Sequence, residues 1–278
     1  MREKLSIGIA STIYLAFGMS FNIQQAHACG PDTDCAIGTE RHYRIRMPEG
    51  HDGTSKVGAI FFMHGYRGTA KGIMRNKALG KMVSDLGLAL VAPKAAYADW
   101  AIPGSPSKKV PIELEYFDAV VADIKKKFNI DTSRMMASGF SAGGMMTWNL
   151  ACDRSNLFAA YAPIAGTFWE PTPKTCETPT ASLIHMHGTS DEVVPLAGRP
   201  IASTKQGDVS AVLAMYANKG RFAEERTYKE PKLEFQCNEL KNADNQILEI
   251  CLHPGGHSMK SAYVSRAWNK FVELGIIK

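Results

Sequence analysis

Short hydrophobic runs alternate with amphipathic segments along most of the chain. The runs that predict buried strands are Val57–Met63, Leu88–Ala92, Arg134–Ser138, Phe158–Ile164, a run beginning at Leu183, and Ile247–Leu252. The segments that predict helices are Ile73–Leu86, Pro111–Phe128, Met145–Leu150, Asp208–Lys219 and Ser261–Leu274. Alternating polar and apolar residues at Arg41–Met47 add an edge strand. This alternation predicts an α/β fold with a mainly parallel central sheet and helices on both faces.

One serine lies where a predicted strand meets a predicted helix. Ser141 stands between Gly139 and Gly143, directly after Arg134–Ser138 and before Met145–Leu150. A serine on such a tight turn exposes its oxygen, and glycines leave room where the strand and the helix approach each other. The pattern predicts a nucleophile elbow. By itself it is weak evidence, because five residues with three fixed positions recur by chance.

Two more polar residues follow strands later in the chain. Asp191 lies in the turn after the run that begins at Leu183, and His257 follows two glycines beyond Ile247–Leu252. Because the carboxyl ends of parallel strands share one edge of a sheet, these side chains are expected to converge with Ser141. The order of nucleophile, acid and histidine is the one that an α/β-hydrolase requires.

The three residues have the chemistry of an acyl-transfer triad. Ser141 is the expected nucleophile, His257 the general base and then acid, and Asp191 the group that holds the imidazole. Negative charge that develops on the substrate carbonyl needs donors already in place. The predicted donors are the N–H of Ala142 and that of Tyr66, in the glycine-rich loop after the first buried strand.

Neighbouring residues offer alternatives. Glu192 adjoins Asp191 and is a second possible acid, although the geometry of the turn favours Asp191. His253 lies near His257, but it falls at the end of a predicted strand, whereas the glycines before His257 free its loop to turn inward.

Aromatic residues follow two of the strands. Trp100 lies in the loop after Leu88–Ala92 and Trp169 in the loop after Phe158–Ile164, so both are expected on the catalytic edge. They are candidates for a substrate pocket, and packing of the two loops onto the domain is the alternative.

Four segments carry a family resemblance: Gly139–Met146, Ala162–Gly166, His187–Pro195 and Gly255–His257. Together they resemble the polyhydroxybutyrate depolymerase and feruloyl esterase family of secreted α/β-hydrolases, from about Tyr43 to the last helix. The resemblance implies hydrolysis of carboxylic esters, no cofactor or metal, and Ser141, Asp191 and His257 as the triad. Depolymerases of solid polyester commonly carry an extra polymer-binding domain that is not apparent here, so soluble hydroxybutyrate oligomers or feruloyl-type esters are expected at least as much as polyester.

The first residues predict export. Arg2 and Lys4 precede a mostly apolar stretch, and Ala26-His27-Ala28 offers a cleavage site, so residues 1–28 predict a signal peptide and 29–278 a single catalytic domain. The expected location is periplasmic or extracellular, with no membrane association after cleavage. A lipid-modified Cys29 is an alternative. The net charge is +5, and the basic residues are scattered along the chain, so no nucleic-acid partner is predicted.

The six cysteines all follow the predicted cleavage site, and an even number in an exported protein predicts disulfides. Sequence allows 15 pairings. Near neighbours are preferred, which gives the pairs Cys29–Cys35, Cys152–Cys176 and Cys237–Cys251.

Two other functions remain open at this point. A serine peptidase of the prolyl-oligopeptidase type shares the fold and the triad, and a binding protein without catalytic activity could retain the fold. The filled triad positions disfavour the second, and the lack of preceding propeller repeats disfavours the first.

Overall fold

A computed structural model describes residues 29–106 and 112–278 of the chain. The predicted signal peptide, residues 1–28, lies outside the described residues. The strands are β1 (Cys35–Ile37), β2 (Arg41–Arg46), β3 (Val57–Met63), β4 (Ala89–Pro93), β5 (Ile130–Phe140), β6 (Ala160–Ile164), β7 (Ser182–Gly188), β8 (Pro200–Ile201), β9 (Thr204–Lys205), β10 (Glu224–Glu230), β11 (Phe235–Lys241) and β12 (Ile247–His253). The helices are α1 (Ala70–Arg75), α2 (Lys77–Asp85), α3 (Glu113–Lys127), α4 (Ala142–Asp153), α5 (Val209–Gly220) and α6 (Ser261–Glu273).

Ten of these strands form one sheet in the order β1-β2-β4-β3-β5-β6-β7-β12-β11-β10. The six central strands, from β4 to β12, are parallel, and both ends of the sheet are antiparallel. Strands β8 and β9 form a separate small hairpin. The parallel centre puts the loops after β3, β5, β7 and β12 at one edge of the sheet, as predicted.

Helices cover both faces of the sheet and enclose two layers of core. Side chains of α3, α4 and α5 pack on one face, and those of α1, α2 and α6 pack on the other. This architecture is an α/β-hydrolase fold and confirms the predicted class. None of the described helices is both long enough and apolar enough to cross a membrane.

The predicted helix Ile73–Leu86 is wrong in one respect, because the chain forms two helices there. Asn76 ends α1 with extended backbone angles, and its side-chain oxygen accepts a hydrogen bond from the N–H of Leu79 to begin α2. An asparagine cap of this kind stabilises a new helix start inside a continuous amphipathic pattern.

The strand at Arg41–Met47 is not the edge of the sheet. The three-residue strand β1 lies outside it and pairs Cys35 with Tyr43. Three residues are too few to show a period-2 pattern, which explains why β1 is not apparent in the sequence.

All three predicted disulfides are present: Cys29–Cys35, Cys152–Cys176 and Cys237–Cys251. The second ties the end of α4 to the segment before β7, and the third joins β11 to β12. Because the sulfur of Cys29 is bonded to Cys35, it is not available for a lipid while that disulfide stands.

Candidate active site

Ser141 lies on a sharp turn between β5 and α4. Its backbone has φ 60° and ψ −122°, a conformation that costs a non-glycine residue free energy and marks a functional constraint. The turn is held because the N–H of Ser141 donates to the carbonyl of Ile164 at 3.0 Å. A Cβ atom at Gly143 would lie 2.0 Å from the carbonyl oxygen of Met63, so only glycine allows the helix to approach β3.

The loops that carry Asp191 and His257 are bonded to each other. The N–H of Thr189 donates to the carbonyl of His253 at 2.8 Å, and that of Ser190 donates to Gly255 at 3.1 Å. These bonds extend the parallel pairing of β7 with β12 beyond the end of the sheet. The acid and the histidine are therefore carried on two loops that are hydrogen-bonded to each other.

Asp191 and His257 are hydrogen-bonded. The Nδ1 atom of His257 lies 2.7 Å from Oδ2 of Asp191, while Oδ1 accepts the N–H groups of Val193 and Val194 at 2.9 and 2.8 Å. The imidazole packs on Phe140, the residue before Ser141, with 4.5 Å between ring centroids. The structure thus brings the three predicted triad residues to the same end of the sheet.

Electrostatics keep the Asp191 carboxylate ionised. Burial opposes the charge, but hydrogen bonds from His187, from the N–H of Val194 and from His257 outweigh burial and hold the pKa of Asp191 well below its usual range. An ionised carboxylate is the form that orients an imidazole and stabilises its protonated state. Glu192, the alternative acid, is exposed to solvent.

The two predicted oxyanion donors, the N–H groups of Tyr66 and Ala142, have no acceptor in the part of the chain that the structure describes. The loop around Tyr66 is fixed because the next residue, Arg67, has φ 58° and donates its N–H to Ala98 at 2.7 Å. Both Tyr66 and Ala142 line the same cavity as Ser141.

Trp100 does not line this cavity, contrary to the prediction. It is completely buried, donates its indole N–H to the carbonyl of His64 at 2.9 Å and packs against the rings of His64 and Phe117. Trp100 therefore supports the loop that carries Tyr66. Its position after a strand indicates the correct edge of the sheet, but not which way the side chain faces.

Trp169 does line the cavity, which has a volume of about 530 Å³. Other lining residues are Tyr97, Asp99, Met145, Val193, Arg199, Ile201 and Gln206. Much of this wall comes from the β8–β9 hairpin and the segment before it, which sequence reasoning missed. Two-residue strands give no periodic signal, so the hairpin could be found only in three dimensions.

One lining side chain has an unpaired acceptor. Gln206 is buried and lies opposite Trp169 across an isolated antiparallel bridge. Its Nε2 donates to the carbonyl of Val193 at 3.2 Å, which orients the amide, while Oε1 has no hydrogen-bond partner among the described residues. A buried acceptor without a partner costs free energy that a bound donor recovers.

Among the described residues, one cluster has the composition of a metal site: Cys237, Glu249 and Cys251. Its two sulfurs form a disulfide, and Glu249 is paired with Arg266 at 2.7 Å. The cluster therefore has no free thiolate to offer as a ligand.

Comparisons with known proteins identify similar sequences and similar folds. A family model described as the Prolyl oligopeptidase family matches residues 112–170, the segment that contains α3, the elbow and β6. A probable feruloyl esterase C from Aspergillus terreus is 26% identical over 201 residues, which cover 68% of this chain and 71% of that protein. A putative esterase NocK from Nocardia uniformis subsp. tsuyamanensis is 24% identical over 244 residues, with coverage of 80% and 71%.

Among solved structures, an acetyl xylan esterase from Aspergillus awamori superposes with a TM-score of 0.63 and 14% identity, over 88% of this chain and 98% of that chain. At this identity the similarity shows the fold alone. The sequence relatives and the fold agree. The chain is similar in sequence to proteins named feruloyl esterase C and has the α/β-hydrolase fold.

Proposed function

We propose that the protein is a serine hydrolase that cleaves carboxylic esters through an acyl-enzyme on Ser141. The observation that carries the proposal is the strained elbow serine beside the hydrogen-bonded pair of His257 and Asp191. Relatives named as feruloyl and acetylxylan esterases support the ester class of substrate.

The chemistry follows from the positions of these groups. His257 takes the proton of Ser141 as the serine oxygen attacks the ester carbonyl, and Asp191 stabilises the imidazolium that forms. The N–H groups of Tyr66 and Ala142 receive the charge on the carbonyl oxygen. His257 then protonates the leaving alcohol, and water releases the acid from Ser141 by the same route.

We propose two kinds of acyl group as occupants of the cavity. Its wall offers Trp169 to the aromatic ring of a hydroxycinnamoyl group such as feruloyl, and Met145 and Val193 to the aliphatic chain of a 3-hydroxybutyryl group. A feruloyl group and a terminal 3-hydroxybutyryl group each carry a free hydroxyl, which can donate to Oε1 of Gln206. We infer esters of hydroxylated acids as the substrate class.

We further propose that residues 1–28 are a signal peptide and that residues 29–278 act as one exported catalytic domain. Three disulfides support export, because such bonds persist in oxidising compartments.

A substrate panel tests the proposed reaction. The purified protein is assayed with p-nitrophenyl esters of increasing chain length, methyl ferulate, soluble 3-hydroxybutyrate oligomers and chromogenic peptides, with Ser141→Ala as the control. We expect turnover of esters that depends on Ser141. Turnover of peptides with no turnover of esters would contradict the proposal and support the peptidase alternative.

A further inference from the structure

A chain of buried hydrogen bonds runs behind the site, from α4 to the loop that carries Asp191. Trp148 Nε1 lies 3.2 Å from Nδ1 of His185, and Nε2 of His185 lies 2.9 Å from Nδ1 of His187. Nε2 of His187 lies 2.7 Å from the carbonyl oxygen of Val194 and 3.5 Å from Oδ2 of Asp191. Neither histidine is required by the acyl-transfer mechanism described above.

The groups at the two ends of this series of hydrogen bonds determine which nitrogen of each histidine ring carries the proton. The indole N–H of Trp148 can only donate, so Nδ1 of His185 accepts and its proton is on Nε2. The carbonyl of Val194 can only accept, so His187 carries its proton on Nε2 and accepts at Nδ1 from His185. All of the donors therefore point in one direction, from the helix behind the elbow toward the acid.

Both rings must be neutral for this arrangement to hold. A second proton on either ring would put two N–H groups face to face, against Trp148 or between the histidines. His185 is completely buried, and burial together with the neighbouring His187 holds the pKa of His185 well below its ordinary value. His185 is therefore suited to hold a structure in place and unsuited to carry protons.

We propose that His187 is a positioning residue for the Asp191 carboxylate. Its Nε2–H lies between the Val194 carbonyl and Oδ2 of Asp191, the oxygen that accepts from His257. The same ring thus closes the turn from 191 to 194 and helps to keep the carboxylate ionised and directed at the imidazole. The inference rests on the proposed function, because it assigns Asp191 as the acid of the triad.

Two substitutions of His187 separate the effect of losing the N–H donor from the effect of changing the packing. In His187→Phe the ring is kept and the N–H is lost, and we expect kcat for a p-nitrophenyl ester to fall about ten- to hundredfold with KM changed less than threefold. His187→Gln places an amide N–H near the position of Nε2, and we expect kcat within about threefold of the native value. Titration of Ser141 with a fluorophosphonate normalises each rate to active protein.

Two spectroscopic readouts test the positioning itself. The strongly downfield proton resonance of His257 Nδ1–H should be retained in His187→Gln and lost or shifted in His187→Phe. In the native protein, ¹⁵N shifts should show the Nε2–H tautomer at both His185 and His187, a test that needs no variant to fold.

Either of two results would overturn the inference: native kcat in folded His187→Phe, or an Nδ1–H tautomer at His187. Failure of the proposed function would be a different result, namely full ester turnover by Ser141→Ala.

Discussion

Single residues at the site are held by their neighbours more than by their own preferences. Ser141 keeps a positive φ because its N–H donates to the carbonyl of Ile164. The flanking glycines have no Cβ atom that would collide with the neighbouring backbone. Asp191 accepts hydrogen bonds at both oxygens and so has one orientation. Such preorganisation is what a site needs in order to stabilise a charged transition state.

Gln206 provides a residue-scale prediction about selectivity. In Gln206→Met the unpaired acceptor is removed, so the ratio of kcat/KM for methyl 4-hydroxycinnamate over methyl cinnamate should fall about tenfold, because one hydrogen bond to the substrate is lost. Initial-rate kinetics with both esters gives the ratio, which does not depend on the fraction of folded protein.

Lys205→Met is the matched control, since Lys205 is the exposed neighbour of Gln206 on the same hairpin. It should leave the ratio unchanged. An unchanged ratio in Gln206→Met would show that Gln206 does not contact the hydroxyl.

His64 provides a prediction about acid stability. Burial lowers the pKa of His64 to about 4, only partly offset by its hydrogen bond to the Gly65 carbonyl, whereas the unfolded chain titrates near 6.5. Between these two values the unfolded state binds the proton and the folded state does not. The free energy of unfolding should therefore fall as pH drops from about 6.5 to 4, by about 3 kcal/mol from this group.

Denaturant titrations at pH 7 and pH 4.5 on the native protein and His64→Asn measure the difference. Asparagine keeps a donor close to the position of Nδ1 and does not titrate. The variant should lose less free energy of unfolding on acidification than the native protein. Equal losses would show that protonation of His64 does not cause the loss of stability.

The three residues proposed as the triad could be selected from sequence because each lies in the loop that follows a strand of a parallel sheet. The residues of the cavity wall could not be predicted in this way. Trp100 and Trp169 both follow strands, yet Trp100 faces inward to His64 and Trp169 faces the cavity. The direction of a loop side chain depends on contacts with distant segments, which a single sequence does not record.

Elements were predictable where their apolar pattern is long. Strand β3 has the predicted bounds, whereas the break between α1 and α2 depends on one capping side chain, that of Asn76. The charged edge strand β10, Glu224–Glu230, has no apolar pattern and was missed. Charges on an edge strand oppose pairing with other chains, so its composition reflects its place in the sheet.

The contact between α4 and β3 provides an element-scale prediction. Gly143→Ala would put a Cβ atom 2.0 Å from the carbonyl oxygen of Met63, so the helix must move away from the strand. We expect a loss of at least about 3 kcal/mol in the free energy of unfolding, measured by denaturant titration. Gly72→Ala, at an exposed position of α1, is the control and should change stability by less than about 1 kcal/mol.

Native stability in Gly143→Ala would show that the elbow is more open than described. It would also weaken the argument that only glycine permits the close approach.

At the scale of the molecule, the disulfides join the site to the rest of the fold. Cys152–Cys176 spans 24 residues between the elbow helix and the segment leading to β7. Removing it in Cys152→Ala/Cys176→Ala should lower the free energy of unfolding by about 3 kcal/mol, because the unfolded chain gains freedom. Cys29→Ala/Cys35→Ala opens a six-residue separation and should cost less.

Denaturant titration under non-reducing conditions compares the two double variants with the native protein. A Cys152→Ala/Cys176→Ala protein as stable as the native one would contradict this role for the disulfide.

The central claim, an ester-cleaving acyl-enzyme on Ser141, is tested most directly by labelling and turnover in one experiment. The native protein and Ser141→Ala are each incubated with a fluorophosphonate, analysed by peptide mass spectrometry, and assayed on p-nitrophenyl butyrate. We predict labelling at Ser141 with loss of ester turnover, and neither labelling nor turnover in the variant. A native protein that stays unlabelled, or a variant that keeps full turnover, would contradict the claim.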